Sequence, residues 1–148
     1  MFEPRRLLAD DSDCAAEIHR RAGALIPGYD TSLHSADEYR TFYRETVMRE
    51  GPVWGAYHAD QLCGHVALRP GWIDHLYVSP DFQGRGIGSC LVRLAQREQS
   101  ELRLFTFQAN LRARQLYERH GFRIEALTNG ERNEEKMPEM TYHWARPT

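Results

Sequence analysis

A glycine-rich segment near the middle of the chain has the composition of an anion-binding loop. It runs Gln83-Gly-Arg-Gly-Ile-Gly88, between a strand-forming segment and a helix-forming one. Backbone N–H groups and the positive end of a helix dipole meet at such a junction, so a phosphate group is the natural ligand. Alternate glycines allow positive φ and close approach of the backbone to a ligand, and Arg85 adds a guanidinium. An ordinary tight turn could contain the same glycines, so the surrounding sequence must decide.

The loop does not match the two common nucleotide-binding patterns. It lacks the Gly-Lys-Ser/Thr ending of a P-loop, and it has neither the GxGxxG spacing nor an acidic partner for a ribose. A dinucleotide site also expects this loop after the first strand, whereas here it lies about halfway along the chain. The pattern therefore argues against ATP- and NAD-binding folds.

Hydrophobic periodicity and turn residues predict the elements that hold this loop. In chain order they are a strand at 2–8, a helix from Asp10 or Asp11 to about 24, a helix from the Ser35–Glu38 capping box to Gly51, a hairpin at 53–58 and 62–68, a strand at 72–79, a helix at 87–99, a strand at 102–107, a helix between Asn110 and Gly121, and paired strands at 122–127 and 140–144. A crossover long enough to hold a helix usually joins parallel strands, which predicts a mixed α/β sheet.

The glycine-rich loop resembles the acyl-CoA pyrophosphate loop of the GNAT superfamily of N-acyltransferases. The family pattern Q/R-x-x-G-x-G/A is met by Gln83, Gly86 and Gly88. Asp74–Pro80 is similar to the central strand of the family, and Asn110–Phe122 is similar to its second cofactor motif. The resemblance covers most of the chain. It implies one domain over residues 1–148, a mixed sheet of about seven strands flanked by about four helices, and a splayed central strand.

The resemblance also implies acetyl-CoA as co-substrate and no metal, although the acyl group could be longer than acetyl. The residues that it implies for cofactor binding are Leu76, Tyr77, Val78, Gln83, Gly84, Arg85, Gly86, Ile87, Gly88, Ser89, Asn110, Ala113 and Tyr117. The reaction would be direct attack of an amine on the thioester, with no covalent enzyme intermediate. A backbone N–H near Val78 is the expected donor to the oxyanion.

Three side chains are candidates for proton transfer. Tyr117 is the predicted general acid, because the motif sets it near the thioester sulfur and a phenol can protonate a departing thiolate. His75 and Asp74 are the candidate bases, and neighbours on a strand point to opposite faces, so we expect at most one of them in the cleft. His75 titrates near neutrality, which suits it to the role. Water relayed to bulk solvent is the alternative to either base.

The family fold implies an acceptor pocket between residues 27–42 and 129–142. The polar and aromatic candidates there are Tyr29, His34, Glu134, Glu135 and Tyr142. Carboxylates in such a pocket would attract a cationic amine. We expect a primary amine of a small molecule as acceptor. A peptide or protein N-terminal acetyltransferase, a non-catalytic acyl-CoA-binding module and a generic phosphate-binding protein are the alternatives.

Length and composition limit the other possible partners. The chain has 148 residues, 41% of them hydrophobic, and a formal net charge of −2, which fits one domain and argues against nucleic-acid binding. The three cysteines are scattered without ligand spacing, which argues against a zinc site and fits a reduced protein. We see no signal-like segment or membrane span, and therefore expect a cytoplasmic protein without a membrane partner. A homodimer is left open.

Overall fold

Seven strands form one mixed sheet in the computed structural model, which describes residues 2–148. The strands are β1 (Glu3–Arg6), β2 (Val53–His58), β3 (Gln61–Arg69), β4 (Trp72–Val78), β5 (Glu101–Phe107), β6 (Arg123–Leu127) and β7 (Glu139–Ala145). Their order across the sheet is β1-β2-β3-β4-β5-β7-β6, and every neighbouring pair is antiparallel except β4 and β5. The predicted mixed sheet is confirmed.

Four helical segments cover this sheet. The first is α1 (Ser12–Gly23). The second consists of α2 (Ala36–Phe42), a π-helical turn (Tyr43–Val47) and α3 (Met48–Glu50), which follow one another without a break. The third and fourth are α4 (Ile87–Glu98) and α5 (Leu111–Arg119). No helix within residues 2–148 is long and apolar enough to cross a membrane.

The helix starts show which local predictions hold. The capping box is present, because the Glu38 N–H donates to Ser35 Oγ at 3.1 Å and the Ser35 N–H donates to Glu38 Oε1 at 2.9 Å. Helix α1 follows Asp10 and Asp11 as predicted, with Asp11 as its N-cap residue, but the Asp11 carboxylate makes no capping hydrogen bond and instead accepts one of 2.6 Å from the Tyr57 hydroxyl. A tertiary contact has replaced a local one at that position.

The sheet separates two apolar cores. On one face α4 and α5 bury residues such as Leu91 and Tyr117 against Leu102 and Tyr142 of the sheet. On the other face α1 and the segment 36–50 bury residues such as Tyr43. Both cores meet β4, which therefore lies at the centre of the molecule.

Strands β4 and β5 separate soon after they meet. The only residue pair joining them within the described chain is Trp72 with Arg103, beside which the Arg103 N–H donates to the Gly71 carbonyl at 2.8 Å. A parallel pair normally continues through evenly spaced hydrogen bonds, so beyond this point β4 and β5 leave backbone groups unpaired toward each other. The predicted splayed central strand is confirmed.

Candidate active site

Two adjoining cavities lie at the opening between β4 and β5. The first, the glycine-loop cavity of about 710 Å³, includes Gln83, Gly84 and Gly86–Gly88 in its walls. The second, the aromatic cavity of about 830 Å³, is bounded mainly by α1, α2, β4, β5 and the loop before β7. Leu76, Tyr77, Asn110, Ala113 and Tyr117 are among the residues that line both. The site is therefore a passage from the glycine-rich loop to a pocket on the far side of β4.

The glycine-rich loop has the geometry of an open cradle at the start of α4. Gly84 and Gly86 have φ of +80° and +83°, and Gly86 is the N-cap of α4. A Cβ at either position would have no heavy atom within 4 Å, so the space in front of both glycines is free. Gln83 donates from its side-chain amide to the Val78 carbonyl at 3.4 Å and closes the turn. The N–H groups at the start of α4 are thus available to an anion.

Gly88, unlike Gly84 and Gly86, does not use the positive φ that a glycine allows. Gly88 is helical, and a Cβ there would lie 3.0 Å from Leu116 Cδ2. Its small size serves the close packing of α4 against α5 rather than the shape of the loop.

Two residues predicted to bind the cofactor lie outside the described lining of the glycine-loop cavity. The Arg85 guanidinium carbon is 5.2 Å from the centroid of the Phe82 ring, and the Arg85 side chain is exposed. The Ser89 hydroxyl lies 3.0 Å from His120 Nε2. Ser89 therefore joins α4 to the end of α5.

The second motif folds as the sequence predicts and brings Tyr117 to the junction of the cavities. Asn110 caps α5, because its Oδ1 accepts a hydrogen bond of 3.2 Å from the Ala113 N–H, and Gly121 has the left-handed φ of +89° expected after a helix. The Tyr117 ring packs 5.5 Å from that of Phe122. Burial raises the pKa of Tyr117 above its usual range, so the phenol is protonated at neutral pH.

Asp74 and His75 both line the aromatic cavity, contrary to the expectation that at most one would face it. The reason is a register shift between Ala67 and Leu68 of β3, which pairs Ala67 with His75 and Leu68 with Ile73 and interrupts the alternation at Asp74. The Asp74 carboxylate is engaged by Arg69, whose Nη2 donates to Oδ1 at 2.9 Å. Burial lowers the pKa of His75 to about 4, which leaves a neutral imidazole at pH 7.

Four of the five predicted acceptor residues line the aromatic cavity, namely Tyr29, His34, Glu134 and Glu135. The Tyr29 and Tyr39 hydroxyls are 2.9 Å apart. His34 lies between two carboxylates, with Nε2 2.9 Å from Glu134 and Nδ1 3.3 Å from Glu38, and these contacts raise its pKa. His34 therefore connects the start of α2 to the loop before β7.

The structure does not support the predicted role of Tyr142. Its side chain is fully buried in the core under α4 and α5, and its hydroxyl donates to Glu118 Oε2 at 2.5 Å. Strand alternation turns Met140 and Tyr142 to that core, away from the aromatic cavity.

A cluster of aromatic and histidine side chains in the wall of the aromatic cavity was missed by sequence analysis. The His19 ring of α1 stacks on the Tyr77 ring at 4.0 Å, and His19 Nδ1 is 2.9 Å from the Tyr43 hydroxyl. That hydroxyl is in turn 2.7 Å from His65 Nε2. Tyr39 and Tyr43 recur at helical spacing, which indicates only a helix, and no local pattern connects His19 or His65 with them, so the sequence carried no usable signal for this cluster.

The aromatic cavity has a strongly acidic lining. Its described walls contain no Lys or Arg and the carboxylates Asp37, Glu38, Asp74, Glu134, Glu135 and Glu139. Asp37 and Asp74 pair with Arg40 and Arg69 from outside the lining, so the excess negative charge is that of the four glutamates. Negative groups around a concave, partly apolar site concentrate the field and attract cations. The cavity is therefore suited to a positively charged molecule with an apolar or aromatic-contacting body.

Comparisons with known proteins agree with this architecture. Residues 49–124, about half of the chain, match the family model of the acetyltransferase (GNAT) domain. The chain is 33% identical to the peptidyl-lysine N-acetyltransferase YjaB of Escherichia coli over 91 residues, which are 59% of this chain and 62% of that protein. The aligned segment is thus less than two thirds of the length of that relative.

Solved structures extend the similarity of fold to the whole chain. The apo-form solution structure of Escherichia coli YjaB has a TM-score of 0.80 at 24% identity, with 99% of each chain covered. YncA of Salmonella typhimurium, solved with its cofactor acetyl-CoA, has a TM-score of 0.75 at 15% identity, with 100% of this chain and 95% of that chain covered. On the family match and this shared fold, the chain belongs to the GNAT acetyltransferase family.

Proposed function

We propose that this protein transfers the acetyl group of acetyl-CoA to a primary amine of a small molecule. The observation that carries the proposal is the passage between the two cavities, with Tyr117 in the walls of both. One cavity begins at a cradle of backbone N–H groups, and the other is lined by carboxylates and aromatic rings. An anionic donor and a cationic acceptor would meet at the open edge of β4.

The residues of the glycine-loop cavity fit an acyl-CoA. The open space before Gly84 and Gly86, at the N-terminus of α4, suits a pyrophosphate. The unpaired backbone of Leu76–Val78 can pair with the amide groups of a pantetheine arm, and Asn110 and Ala113 line the same passage. When bound, acetyl-CoA supplies an acyl thioester that an amine can attack directly. The structure of YncA with acetyl-CoA supports this assignment.

Tyr117 and His75 are the side chains that we assign to proton transfer. The raised pKa of Tyr117 keeps a proton on its hydroxyl, which can pass to the sulfur as the thiolate leaves. The cationic acceptor must first lose its ammonium proton, which passes to bulk water, because only the neutral amine can attack. His75 is neutral at pH 7 because burial lowers its pKa, so its imidazole can accept the second proton, which the nitrogen loses as the amide forms. A free backbone N–H near Val78 would stabilise the oxyanion, a contribution of about 3 kcal/mol where such a donor is well aligned.

Acetylation of a lysine side chain in a protein is the second candidate. The name of YjaB, a peptidyl-lysine N-acetyltransferase, favours it. A lysine ammonium would find the same carboxylates in the aromatic cavity as a small amine does. The two candidates differ in the size of the acceptor rather than in the chemistry of transfer.

Binding and turnover test this function in two steps. Acetyl-CoA should raise the thermal midpoint of the protein, whereas ATP and NAD should not, because a ligand stabilises only a fold that it binds. Thiol release should then be followed with a panel of small primary amines and with a lysine-containing peptide. We expect turnover with small cationic amines to exceed that with the peptide. No thermal shift with acetyl-CoA would overturn the donor, and the reverse order of acceptors would select the second candidate.

A further inference from the structure

The His19–Tyr43–His65 chain determines which ring nitrogen of each histidine carries a proton. His65 is fully buried, and its Nδ1 is a buried side-chain nitrogen without a hydrogen-bond partner among residues 2–148. A buried N–H without an acceptor costs more than a buried lone pair without a donor. The proton of neutral His65 therefore resides on Nε2, which donates to the Tyr43 oxygen 2.7 Å away.

The position of the proton on His65 also fixes the direction of the hydrogen bond between Tyr43 and His19. Since the Tyr43 oxygen accepts from His65, its own proton is free to go to the other partner, His19 Nδ1, at 2.9 Å. His19 Nδ1 is then an acceptor, and a neutral imidazole must carry its proton on Nε2. Burial lowers the pKa of both histidines, to about 3 for His65, which is consistent with neutral rings.

The Nε2–H of His19 is available in the aromatic cavity. His19 lines this cavity, and its ring is held in place by stacking on Tyr77. Nε2 makes no hydrogen bond to a described residue and is not among the buried, unpartnered atoms. In addition to the Tyr117 and His75 side chains assigned to proton transfer, the cavity wall thus presents an oriented neutral donor at His19.

We infer that His19 is a specificity-determining donor that binds an uncharged oxygen, a hydroxyl or a carbonyl, on the acceptor amine. The inference rests on the proposed function in taking an amine as the occupant of the cavity. A carboxylate on the acceptor is disfavoured by repulsion from the glutamates of the lining, although His19 could bind it chemically. Amino alcohols, amino sugars and amides are therefore favoured over alkylamines and free amino acids. Tyr43 and His65 are positioning residues, because they act only through His19.

Nitrogen-15 NMR of the histidine rings tests the tautomers without any turnover. We expect the Nε2–H form for both His19 and His65 at pH 7. An Nδ1–H form at His19 would overturn the inference. Addition of 6-aminohexan-1-ol should shift the His19 Nε2–H resonance more than hexylamine does, and equal shifts would also overturn it. These NMR measurements need no acetylation of any amine. The inference about His19 and the proposed function can therefore fail separately.

Turnover tests the specificity. Thiol release is compared for 6-aminohexan-1-ol, hexylamine and 6-aminohexanoate, and for the four-carbon set of the same three types. We expect the kcat/KM of the amino alcohol to be about fivefold above that of the alkylamine at one of the two lengths, because one neutral hydrogen bond contributes about that much. The compound with a carboxylate should be the poorest acceptor. No preference at either length would overturn the inference.

Matched variants connect that preference to the side chains. His19→Phe retains a ring on Tyr77 but no donor, and should bring the ratio of amino alcohol to alkylamine close to one. Tyr43→Phe should reduce the ratio and allow the Nδ1–H form of His19. Tyr57→Phe is the control, since it also removes a tyrosine hydroxyl bond beside α1, to Asp11, but lies outside the cavity lining. A preference that survives His19→Phe, or that Tyr57→Phe abolishes equally, contradicts the assignment.

Discussion

Burial keeps both Tyr117 and His75 neutral, although it moves their pKa values in opposite directions. Loss of water disfavours the phenolate of Tyr117 and the imidazolium of His75. The result is a protonated acid and an unprotonated base in the wall of one cavity at the same pH. An acyl transfer that must take a proton from an amine and give one to a thiolate needs this pair of states.

Tyr117→Phe should separate catalysis from cofactor binding. The ring and its packing on Phe122 are retained, and the hydroxyl has no hydrogen bond to a described residue that the change would break. We expect kcat to fall about a hundredfold, a typical loss for a general acid, with acetyl-CoA affinity nearly unchanged. Steady-state kinetics and calorimetric titration measure the two quantities. An unchanged kcat would remove Tyr117 from the acid role.

His75 should make stability depend on pH in a defined window. Its pKa is about 4 in the folded protein and near 6.5 in an unfolded chain. The unfolded state binds more protons between these values, so stability rises with pH from about 4 to about 6.5. His75→Gln should flatten part of this rise in thermal midpoints measured from pH 4.5 to pH 7. His19, His65 and His120, whose pKa values are also lowered, contribute further to the rise. A variant with the same slope as the wild type would contradict the low pKa.

Among the elements, the β4–α4 connection shows what a short motif can predict. Its pattern predicted the open loop at Gly84 and Gly86, because positive φ at those positions is a local property of glycine. The helix predicted at 87–99 includes Gly88, as the structure has it, but the sequence did not show that Gly88 leaves room for Leu116 on another helix. The capping box at Ser35 was likewise local and confirmed, whereas Asp11 is the N-cap residue of α1 with its carboxylate bonded to Tyr57 of β2 instead of to the helix.

Gly86→Ala should weaken acetyl-CoA binding beyond its effect on stability. An alanine at φ of +83° is strained by about 1 kcal/mol, and its Cβ would project into the open space that we assign to the pyrophosphate. Gly71→Ala is a matched control, with φ of +80°, equally free surroundings and a position in the β3–β4 turn. Both variants should lose similar stability in denaturant, while only Gly86→Ala should lose acetyl-CoA affinity. Equal affinity losses would contradict the loop assignment.

At the scale of the whole molecule, the aromatic cavity is assembled from distant parts of the chain. His34 precedes α2, and its partner Glu134 lies in the loop before β7, so the contact joins two segments that periodicity treats separately. The family resemblance implied that Glu134 and Glu135 lie near the acceptor. The pairing that fixes those residues, and the bulge that turns Asp74 into the same cavity, depend on the register of the folded sheet.

The contacts of His34 with Glu38 and Glu134, here called the His34 bridge, should make acceptor binding depend on pH, because they hold together two segments of the cavity wall. Glu134 and Glu38 raise the pKa of His34, so the charged bridge is complete below the ordinary value near 6.5 and is lost as pH rises through the raised value. We expect His34→Gln to increase the KM for the amine about two- to threefold at pH 6, as for a largely exposed ion pair, and to have little effect at pH 9. Ionisation of the amine affects both proteins equally and cancels in the ratio.

His143→Gln provides the control for this effect. It removes a histidine–glutamate contact of 2.7 Å, to Glu101, that lies outside the described lining of the cavity. The KM ratio of this variant to the wild type should stay near one at both pH values, because its contact touches neither of the segments that His34 joins. The opposite outcome is a ratio of KM values, His34→Gln to wild type, that is the same at pH 6 and pH 9. It would mean that the two segments hold their positions without the charge of His34. The acceptor side of the site would then be rigid rather than pH-dependent.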